Sequence, residues 1–121
     1  MTHGVIQSSA GLVYLHQPGA VNEAFADVMA YFMTLNPEIG EGLAAGALRD
    51  ISDPAAHGQP DHMDEFRRLP RFVDNGGVHI YSGIVSQAAY LMTEGGEKSG
   101  ILVEGQGFEA IEAIWLALIH I

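Results

Sequence analysis

The chain has 121 residues, of which 48% are hydrophobic, so it is long enough to form one domain, or part of one, with a buried core. Its formal net charge of −10, with five Lys and Arg in total, excludes a nucleic-acid partner, because too few cations are present to neutralise phosphates. The absence of Cys excludes a disulfide framework and a Cys-based zinc site. The longest apolar run, residues 113–119, is too short to span a bilayer, so no membrane partner is expected.

Two helices are predicted in the first third of the chain. Residues 3–9 are typical of the end of a helix that stops near Gly11. A stronger helix is predicted over residues 21–35, because its apolar residues recur at the i, i+3, i+4 spacing of one helix face. Pro-Gly at 18–19 is expected to precede this helix, and Asn-Pro at 36–37 to end it.

A long loop region and a third helix follow. Residues 38–78 are rich in Gly, Pro and Asp, with one short helix predicted at 43–49. A loop region of this length in a compact domain is usually functional or stabilised by a metal. The third helix is predicted over residues 82–93, with Ser82 as its N-cap and Gly-Gly at 95–96 as its stop.

A fourth helix is predicted over residues 107–120, and its side chains are apolar nearly all round. Such a helix requires cover on every side. We therefore expect the chain to be cut at its C-terminal end, and we expect the uncovered faces to drive self-association. A dimer face containing Trp115 and Ile119 is one form that this association would take.

Two acidic residues on the second helix are the first candidates for chemistry. Glu23 and Asp27 are four residues apart, so they share one helix face. The simplest interpretation of this pair alone is a solvated acidic patch near a helix N-terminus, where the helix dipole favours negative charge. His3 taken alone is equally open to an ordinary surface or core role.

The order of several longer motifs changes this interpretation. The chain contains, in sequence order, AGLVY, GAVNEAFAD, NPEIGEG, ALRDISDP, GQPDH, DNGGVHIYSGI and AAYLMTEGG. With these motifs the chain resembles the thermolysin family of bacterial neutral zinc metalloproteases, from His3 to about Ala117. An unrelated helical domain would require seven coincident matches. The resemblance implies a mainly α fold: the helical C-terminal domain, with three to four helices and a long Gly- and Asp-rich loop region. Residues 1–121 would be a single partial domain.

The resemblance implies a zinc site. His3 resembles the second His of the family's H-E-x-x-H motif, and Glu23 resembles the third protein ligand of the zinc. Asp27 resembles the carboxylate that orients a ligand His through its other ring nitrogen. Glu38 and Glu41 resemble ligands of a calcium site, which is expected to be single and weak here because neighbouring family carboxylates are missing.

The resemblance also implies groups that act on a peptide substrate. His79 resembles the family's oxyanion-stabilising His, Asp74 its orienting partner, and Tyr14 a second donor to the oxyanion. Arg49 resembles an Arg that binds a substrate carbonyl, and Leu48 resembles part of the adjoining pocket wall. The alternatives are packing roles for Tyr14 and Leu48, and pairing of Arg49 with one of the fifteen acidic residues.

One departure from the family pattern bears on activity. The first His ligand and the general-base Glu of H-E-x-x-H are not in the sequence, which begins Met1-Thr2-His3. We therefore expect a fragment of a secreted, extracellular zinc endopeptidase that is inactive alone and lacks the N-terminal half of the family's catalytic unit. The alternative is a non-catalytic, degenerate relative that acts as a peptide- or partner-binding module.

Overall fold

Two long helices pack against each other and carry most of the core. In the computed structural model, which describes residues 2–43, 46–118 and 120, helix α1 spans Thr2–Ser8, α2 His16–Thr34, α3 Asp74–Glu94 and α4 Phe108–Leu118. Helices α1 and α4 pack against the α2–α3 pair. The buried apolar cluster draws on all four helices and on the segment after α2, through Ile6, Phe25, Val28, Tyr31, Phe32, Ile51, Ala89, Ile111 and Trp115. The prediction of a mainly α fold is confirmed.

Helix α2 begins at His16, five residues earlier than the hydrophobic pattern predicted. Pro18 is the third residue of the helix, and a proline is tolerated in the first turn because its missing N–H would have no helical partner there. Gly19 is buried, and a Cβ at this position would lie 2.5 Å from the Val78 side chain. The glycine therefore permits close contact between α2 and α3 and does not precede the helix.

Helix α3 also begins before its predicted start. Its first residues, Asn75, Gly76 and Gly77, have left-handed backbone angles and form a turn that leads directly into the regular helix. The Asp74 carboxylate accepts hydrogen bonds from the His79 and Ile80 amides, and so caps that helix. The prediction that Ser82 is the N-cap was wrong: Ser82 is fully buried within α3. The predicted stop is confirmed, because Gly95 ends the helix with a φ of 82°.

Two short antiparallel strand pairs lie outside the helices. Strand β1, Glu38–Ile39, pairs with β2, Arg49–Asp50. The prediction of a helix over residues 43–49 is therefore wrong for residues 43 and 46–49. Residues 44 and 45 lie outside the described residues. Strand β3, Gly96–Lys98, pairs with β4, Ile101–Val103, through a two-residue turn in which Ser99 and Gly100 have positive φ angles. Short 3₁₀ helices span Pro54–His57 and Met63–Glu65.

The described residues cover only one face of helix α4. Ile111 and Trp115 are buried, and the Trp115 ring contacts Phe25 edge-on with ring centroids 4.4 Å apart. Ile114 and Leu118 are 51% and 45% exposed. Trp115 is therefore not available for the dimer face that was expected to contain it, and Ile119 lies outside the described residues. None of the described helices has the length and hydropathy that a transmembrane segment requires.

Candidate active site

Three side chains from separate segments meet at one carboxylate oxygen of a fourth residue. The Oε1 atom of Glu23 lies 3.5 Å from His3 Nε2 and 3.4 Å from His79 Nε2. The Tyr14 hydroxyl donates a hydrogen bond to the same oxygen and lies 3.1 Å from His79 Nε2. The fold thus brings together residues that are up to 76 positions apart in the sequence.

The position of the His3 ring is set by a residue that the sequence analysis missed. His3 Nδ1 lies 2.6 Å from Asn22 Oδ1, and Asn22 is 3% exposed. Because an amide oxygen only accepts hydrogen bonds, Nδ1 donates the proton and Nε2 is left as the unprotonated nitrogen facing Glu23. The only signal in the sequence was that Asn22 precedes Glu23 inside the GAVNEAFAD motif.

Glu23 is a buried acid, and its environment affects the neighbouring phenol. Burial, followed by the hydrogen bond to Glu23 and the charge of that residue, raises the pKa of Tyr14 well above its ordinary value. Tyr14 therefore keeps its proton at neutral pH and serves as a hydrogen-bond donor. Its hydroxyl contacts two other members of the cluster, Glu23 and His79.

His79 is held by the left-handed turn at the start of α3. Asp74 Oδ1 lies 2.6 Å from His79 Nδ1, and Asp74 Oδ2 accepts from the His79 amide at 2.7 Å. Burial acts to raise the pKa of Asp74, but the hydrogen bonds from His79 outweigh it and lower the pKa. The ionised carboxylate fixes Nδ1 as the protonated nitrogen and directs Nε2 toward Tyr14 and Glu23.

A second missed residue holds the backbone of this segment. The Gln59 side-chain amide donates to the His79 carbonyl oxygen at 2.5 Å and to Ser82 Oγ at 3.1 Å. Gln59 belongs to the GQPDH motif, and nothing in that motif by itself predicts a contact with His79. Its contact ties the loop region to the first turn of α3, where His79 lies.

Asp27 and Arg49 contact each other and lie beside the cluster. The Arg49 guanidinium donates from Nε to Asp27 Oδ2 and from Nη2 to Asp27 Oδ1, both at 2.7 Å. This hydrogen bonding, opposed by burial and reinforced by the charges of Asp27 and Glu23, raises the pKa of Arg49. Both carboxylate oxygens of Asp27 are thus engaged by Arg49, and the imidazole of His3 is oriented by Asn22. Leu48, the residue before Arg49, is 55% exposed.

The two candidate calcium ligands lie apart from this cluster. The Glu41 carboxylate accepts from the Asn36 amide, and Glu38 is exposed on β1 opposite Asp50. Among the described residues, no group of three or more His, Cys, Asp or Glu side chains is arranged to hold a metal ion. The calcium site therefore stays a prediction.

The geometry of His3 and Glu23 fits two corners of a tetrahedral zinc site. Ligand atoms about 2.0–2.1 Å from a tetrahedral zinc lie about 3.3–3.4 Å from each other. The observed separation of His3 Nε2 and Glu23 Oε1 is 3.5 Å. The nitrogen and oxygen donors are those that zinc prefers, and the contact between His3 and Asn22 leaves the correct nitrogen available.

An open cavity of about 460 Å³ adjoins the cluster on the side of α1. His3, Tyr14 and Asn22 contribute to its wall, together with the segment that connects α1 to α2. A volume of this size accommodates part of a peptide next to the four converging side chains.

Comparison with known proteins identifies the family. The family model described as thermolysin metallopeptidase, alpha-helical domain, matches residues 10–119. The chain belongs to the thermolysin family of metallopeptidases. The resemblance predicted from the ordered motifs is thereby confirmed, and the family is zinc-dependent.

Individual relatives of this thermolysin-family chain agree in sequence and in structure. It is 43% identical over 126 residues to thermolysin of Alicyclobacillus acidocaldarius, covering 95% of this chain and 23% of that protein. It is 46% identical over 121 residues to neutral protease B of Bacillus subtilis, covering 95% and 22%. The solved structure of the protealysin precursor, a metalloproteinase from Serratia proteamaculans, superposes with a TM-score of 0.71 at 31% identity, covering 98% of this chain and 42% of that one. The chain thus spans less than a quarter of the length of the thermolysin and of neutral protease B.

Proposed function

We propose that this chain forms one half of the active site of a zinc-dependent endopeptidase that hydrolyses peptide bonds. The observation that carries the proposal is the convergence of His3, Tyr14 and His79 on Glu23 Oε1 within 3.5 Å. Residues 1–121 are proposed to act as a single partial domain. By analogy with the family, the activity is proposed to act outside the cell, on peptide or protein substrates.

Each side chain has a proposed role that follows from its contacts. His3 and Glu23 would hold the metal, with Asn22 fixing the orientation of the His3 ring. The chemistry that zinc would supply there is Lewis acidity, which would polarise a carbonyl oxygen and activate water. Tyr14 directs its hydroxyl and His79 its Nε2 into the same space, where the hydroxyl, and Nε2 when it carries a second proton, stabilise the negative oxygen of the tetrahedral intermediate. Asp74 keeps the His79 ring in position.

Arg49 has a proposed role at the edge of this space. Its bidentate contact with Asp27 restricts the guanidinium to one orientation. The remaining N–H groups form no hydrogen bond with the described residues and can donate to a substrate carbonyl. Asp27 is proposed to act through Arg49 and through a His ligand that the 121 residues do not contain. Leu48, half-exposed beside Arg49, is proposed to contact an apolar substrate side chain.

Completion of the site requires two further groups. A catalytic zinc has three protein ligands and an open position, whereas His3 and Glu23 supply two ligands. The general base is also absent from the 121 residues. We propose that an N-terminal half supplies the missing His and Glu, and that the 121 residues alone do not hydrolyse peptides. Glu38 and Glu41 are proposed to bind calcium weakly.

Zinc titration of the purified chain, followed by calorimetry, tests the metal site. We expect weak binding of one zinc ion that is lost in His3→Ala and in Glu23→Gln, because each change removes one of two ligands. His62→Ala is the matched control, since His62 is an exposed His that pairs with Asp64 away from the cluster, and it should bind zinc as the unaltered chain does. Equal zinc binding by all four proteins would contradict the proposed ligands.

Casein hydrolysis by the same chain tests the second part of the proposal. No cleavage is expected at any zinc concentration, because the base that removes a proton from water is missing. Chelator-sensitive cleavage by the chain alone would show that the site is complete without an N-terminal half. Tight, zinc-independent binding of peptides without cleavage would favour the binding-module alternative.

A further inference from the structure

Positive charge in this acidic chain is concentrated in one short segment. Three of its five Lys and Arg residues lie within RRLPR, residues 67–71. The other two are neutralised, Arg49 by Asp27 and Lys98 by Asp61. Within the part of the chain that the structure describes, none of the three arginines in this segment forms an ion pair. The segment therefore carries unneutralised positive charge on a protein whose net charge is −10.

The three arginines differ in what their side chains contact. Arg67 Nη1 donates to the carbonyl oxygens of Asp64 and Phe66, so this guanidinium is held against its own backbone. Arg68 lines a cavity, whereas Arg71 does not. Both of these residues are exposed, so they form a matched pair in which one member faces the cavity.

The cavity beside Arg68 has a volume of about 370 Å³, within the range of about 300–1,000 Å³ typical of ligand pockets. Among the described residues that line it, Arg68 is the one permanently charged side chain, and none is an Asp or Glu. Hydrogen-bonding groups come from His16 and Gln17, and an apolar surface comes from Phe66. These groups are suited to a ligand with a short apolar stem and a carboxylate at its end.

The segments that form the candidate active site also form this cavity. Gly76 lies in its wall and belongs to the left-handed turn that positions His79. His16 lies two residues after Tyr14, and the intervening Leu15 has an extended backbone with φ −157° and ψ 136°. His16 has a left-handed backbone with a φ of 52° and begins α2, so the short segment from Tyr14 to His16 connects the cluster to the cavity. A peptide held at Tyr14 and His79 therefore has the cavity within its reach.

We propose that the cavity lined by His16, Gln17, Phe66, Arg68 and Gly76 is a subsite for an acidic side chain of a bound peptide, with Arg68 binding the carboxylate. The proposal rests on the proposed function, because it takes a peptide at His79 as the ligand. The Arg68 guanidinium offers paired N–H groups that match the geometry of a carboxylate. The net negative charge of the rest of the protein repels an acidic side chain. A peptide is therefore expected to bind with its acidic residue at this subsite.

The test is a nuclear magnetic resonance titration of the complete 121-residue chain with three peptides. The first is an acetylated and amidated Ala-Glu-Ala-Ala-Phe, the second replaces its Glu by Gln, and the third is the Gln peptide with a free C-terminal carboxylate. We expect the capped Glu peptide to bind roughly five times more tightly than the capped Gln peptide, as about 1 kcal/mol for a partly exposed ion pair implies. The backbone amide signals of Gln17 and Gly76 should move with the Glu peptide.

Two charge-matched variants make the test specific. Arg68→Gln should abolish the preference for Glu over Gln, whereas Arg71→Gln removes the same charge from the same segment and should preserve it. Thermal unfolding of both variants establishes that they are folded. Equal loss of the preference in both variants would overturn the proposal, because general attraction to the segment would then account for it.

Other outcomes also decide the question. Equal affinity of the unaltered chain for the Glu and Gln peptides would overturn the proposal without any variant. Stronger binding of the free-acid peptide than of the capped Glu peptide would also overturn the proposal, because the cavity would then prefer a C-terminal carboxylate to an acidic side chain. These failures are distinguishable from failure of the proposed peptidase function, which the zinc titrations of His3→Ala and Glu23→Gln decide independently.

Discussion

Asp27 and Arg49 illustrate how single residues combine stability with a role near the site. Asp27 is 3% exposed, and its carboxylate would be buried without compensation if Arg49 were removed. Two 2.7 Å hydrogen bonds and opposite charge offset the cost of burying both groups. The pair also restrains Arg49 next to Glu23 and Tyr14, whose charges contribute to its raised pKa after that of Asp27.

The first prediction concerns this ion pair. Arg49→Gln should lower the free energy of unfolding by about 3 kcal/mol, because it leaves Asp27 buried and unpaired. Urea unfolding monitored by circular dichroism measures the change. In the double variant Arg49→Gln with Asp27→Asn, the free energy of unfolding should fall by less than the sum of the decreases in the two single variants. Strict additivity would show that the two residues are not energetically coupled.

A second prediction at the residue scale concerns acid stability. The pKa of Asp74 in the folded protein lies below its ordinary value of 3.8. Its ionised form therefore stabilises the fold fully above that value, and the stabilisation is lost as the pH falls through the lowered pKa. Asp74→Asn should thus be less stable than the unaltered chain by about 1 kcal/mol near neutral pH, with a difference that shrinks below about pH 4.

Chemical unfolding of both proteins in steps between about pH 3 and pH 7 checks this dependence. Asn keeps the backbone hydrogen bonds through its one oxygen and tolerates the left-handed conformation at this position, so the change removes the charge and the acceptor for His79 Nδ1 while it keeps the cap. A difference that widened as the pH fell would mean that the carboxylate is not stabilised by its contacts with His79.

At the scale of elements, the left-handed start of α3 links the site to the helix packing. Asp74, Asn75, Gly76 and Gly77 all have positive φ angles, which turn the chain so that the Asp74 carboxylate reaches the amides of the first regular turn. Gly76 also packs directly against the His16 ring at the start of α2. One short turn therefore sets both the direction of His79 and the approach of the two long helices.

A third prediction follows from that turn. Gly76→Ala should destabilise the protein by about 2–4 kcal/mol, because it combines a left-handed alanine with a clash against His16. Gly100→Ala is the control: Gly100 has a similar φ of 77° with open space around its Cβ position, so it should cost about 1 kcal/mol. Thermal unfolding measures both losses of stability. Equal losses in Gly76→Ala and Gly100→Ala would show that the clash with His16 does not add to the cost of a left-handed alanine.

At the scale of the whole molecule, the two sides of α4 differ. The buried side packs Trp115 and Ile111 into the common core, whereas Ile114 and Leu118, four residues apart, face outward together. Exposed apolar side chains on one helix face favour association when they are contiguous. The expected self-association therefore stays a prediction, with Ile114 and Leu118 in place of Trp115 as its central residues.

The fourth prediction is that the chain self-associates as its concentration rises. The double variant Ile114→Glu with Leu118→Glu should remain monomeric, because buried carboxylates oppose an apolar interface. Sedimentation velocity over a range of concentrations measures this. Leu102→Glu is the control, since Leu102 is 81% exposed on the hairpin and away from α4. An unaltered chain that sediments as a monomer throughout would contradict the prediction.

Much of the architecture was predictable from local sequence signals. The apolar spacing in residues 21–35 and the Gly-Gly stop after α3 led to the correct helices, since these signals act over a few neighbouring residues. The starts of α2 and α3 were placed too late, because Pro18, Gly19 and the DNGG turn are helix breakers by propensity. Their actual roles come from contacts with Val78, His16 and the helix amides, which lie far away in sequence or depend on backbone angles.

The sequence by itself determined the family, the mainly α class and the residue types available for a zinc peptidase site, because ordered motifs and helical periodicity are written along the chain. Only the tertiary structure decided which partner each side chain contacts. Asn22 orients His3, Arg49 donates hydrogen bonds to the Asp27 carboxylate, and Gln59 donates one to the His79 carbonyl oxygen. Hydrogen bonds extend about 3 Å and depend on direction, so residues separated by up to 22 positions choose their partners only after the helices have packed.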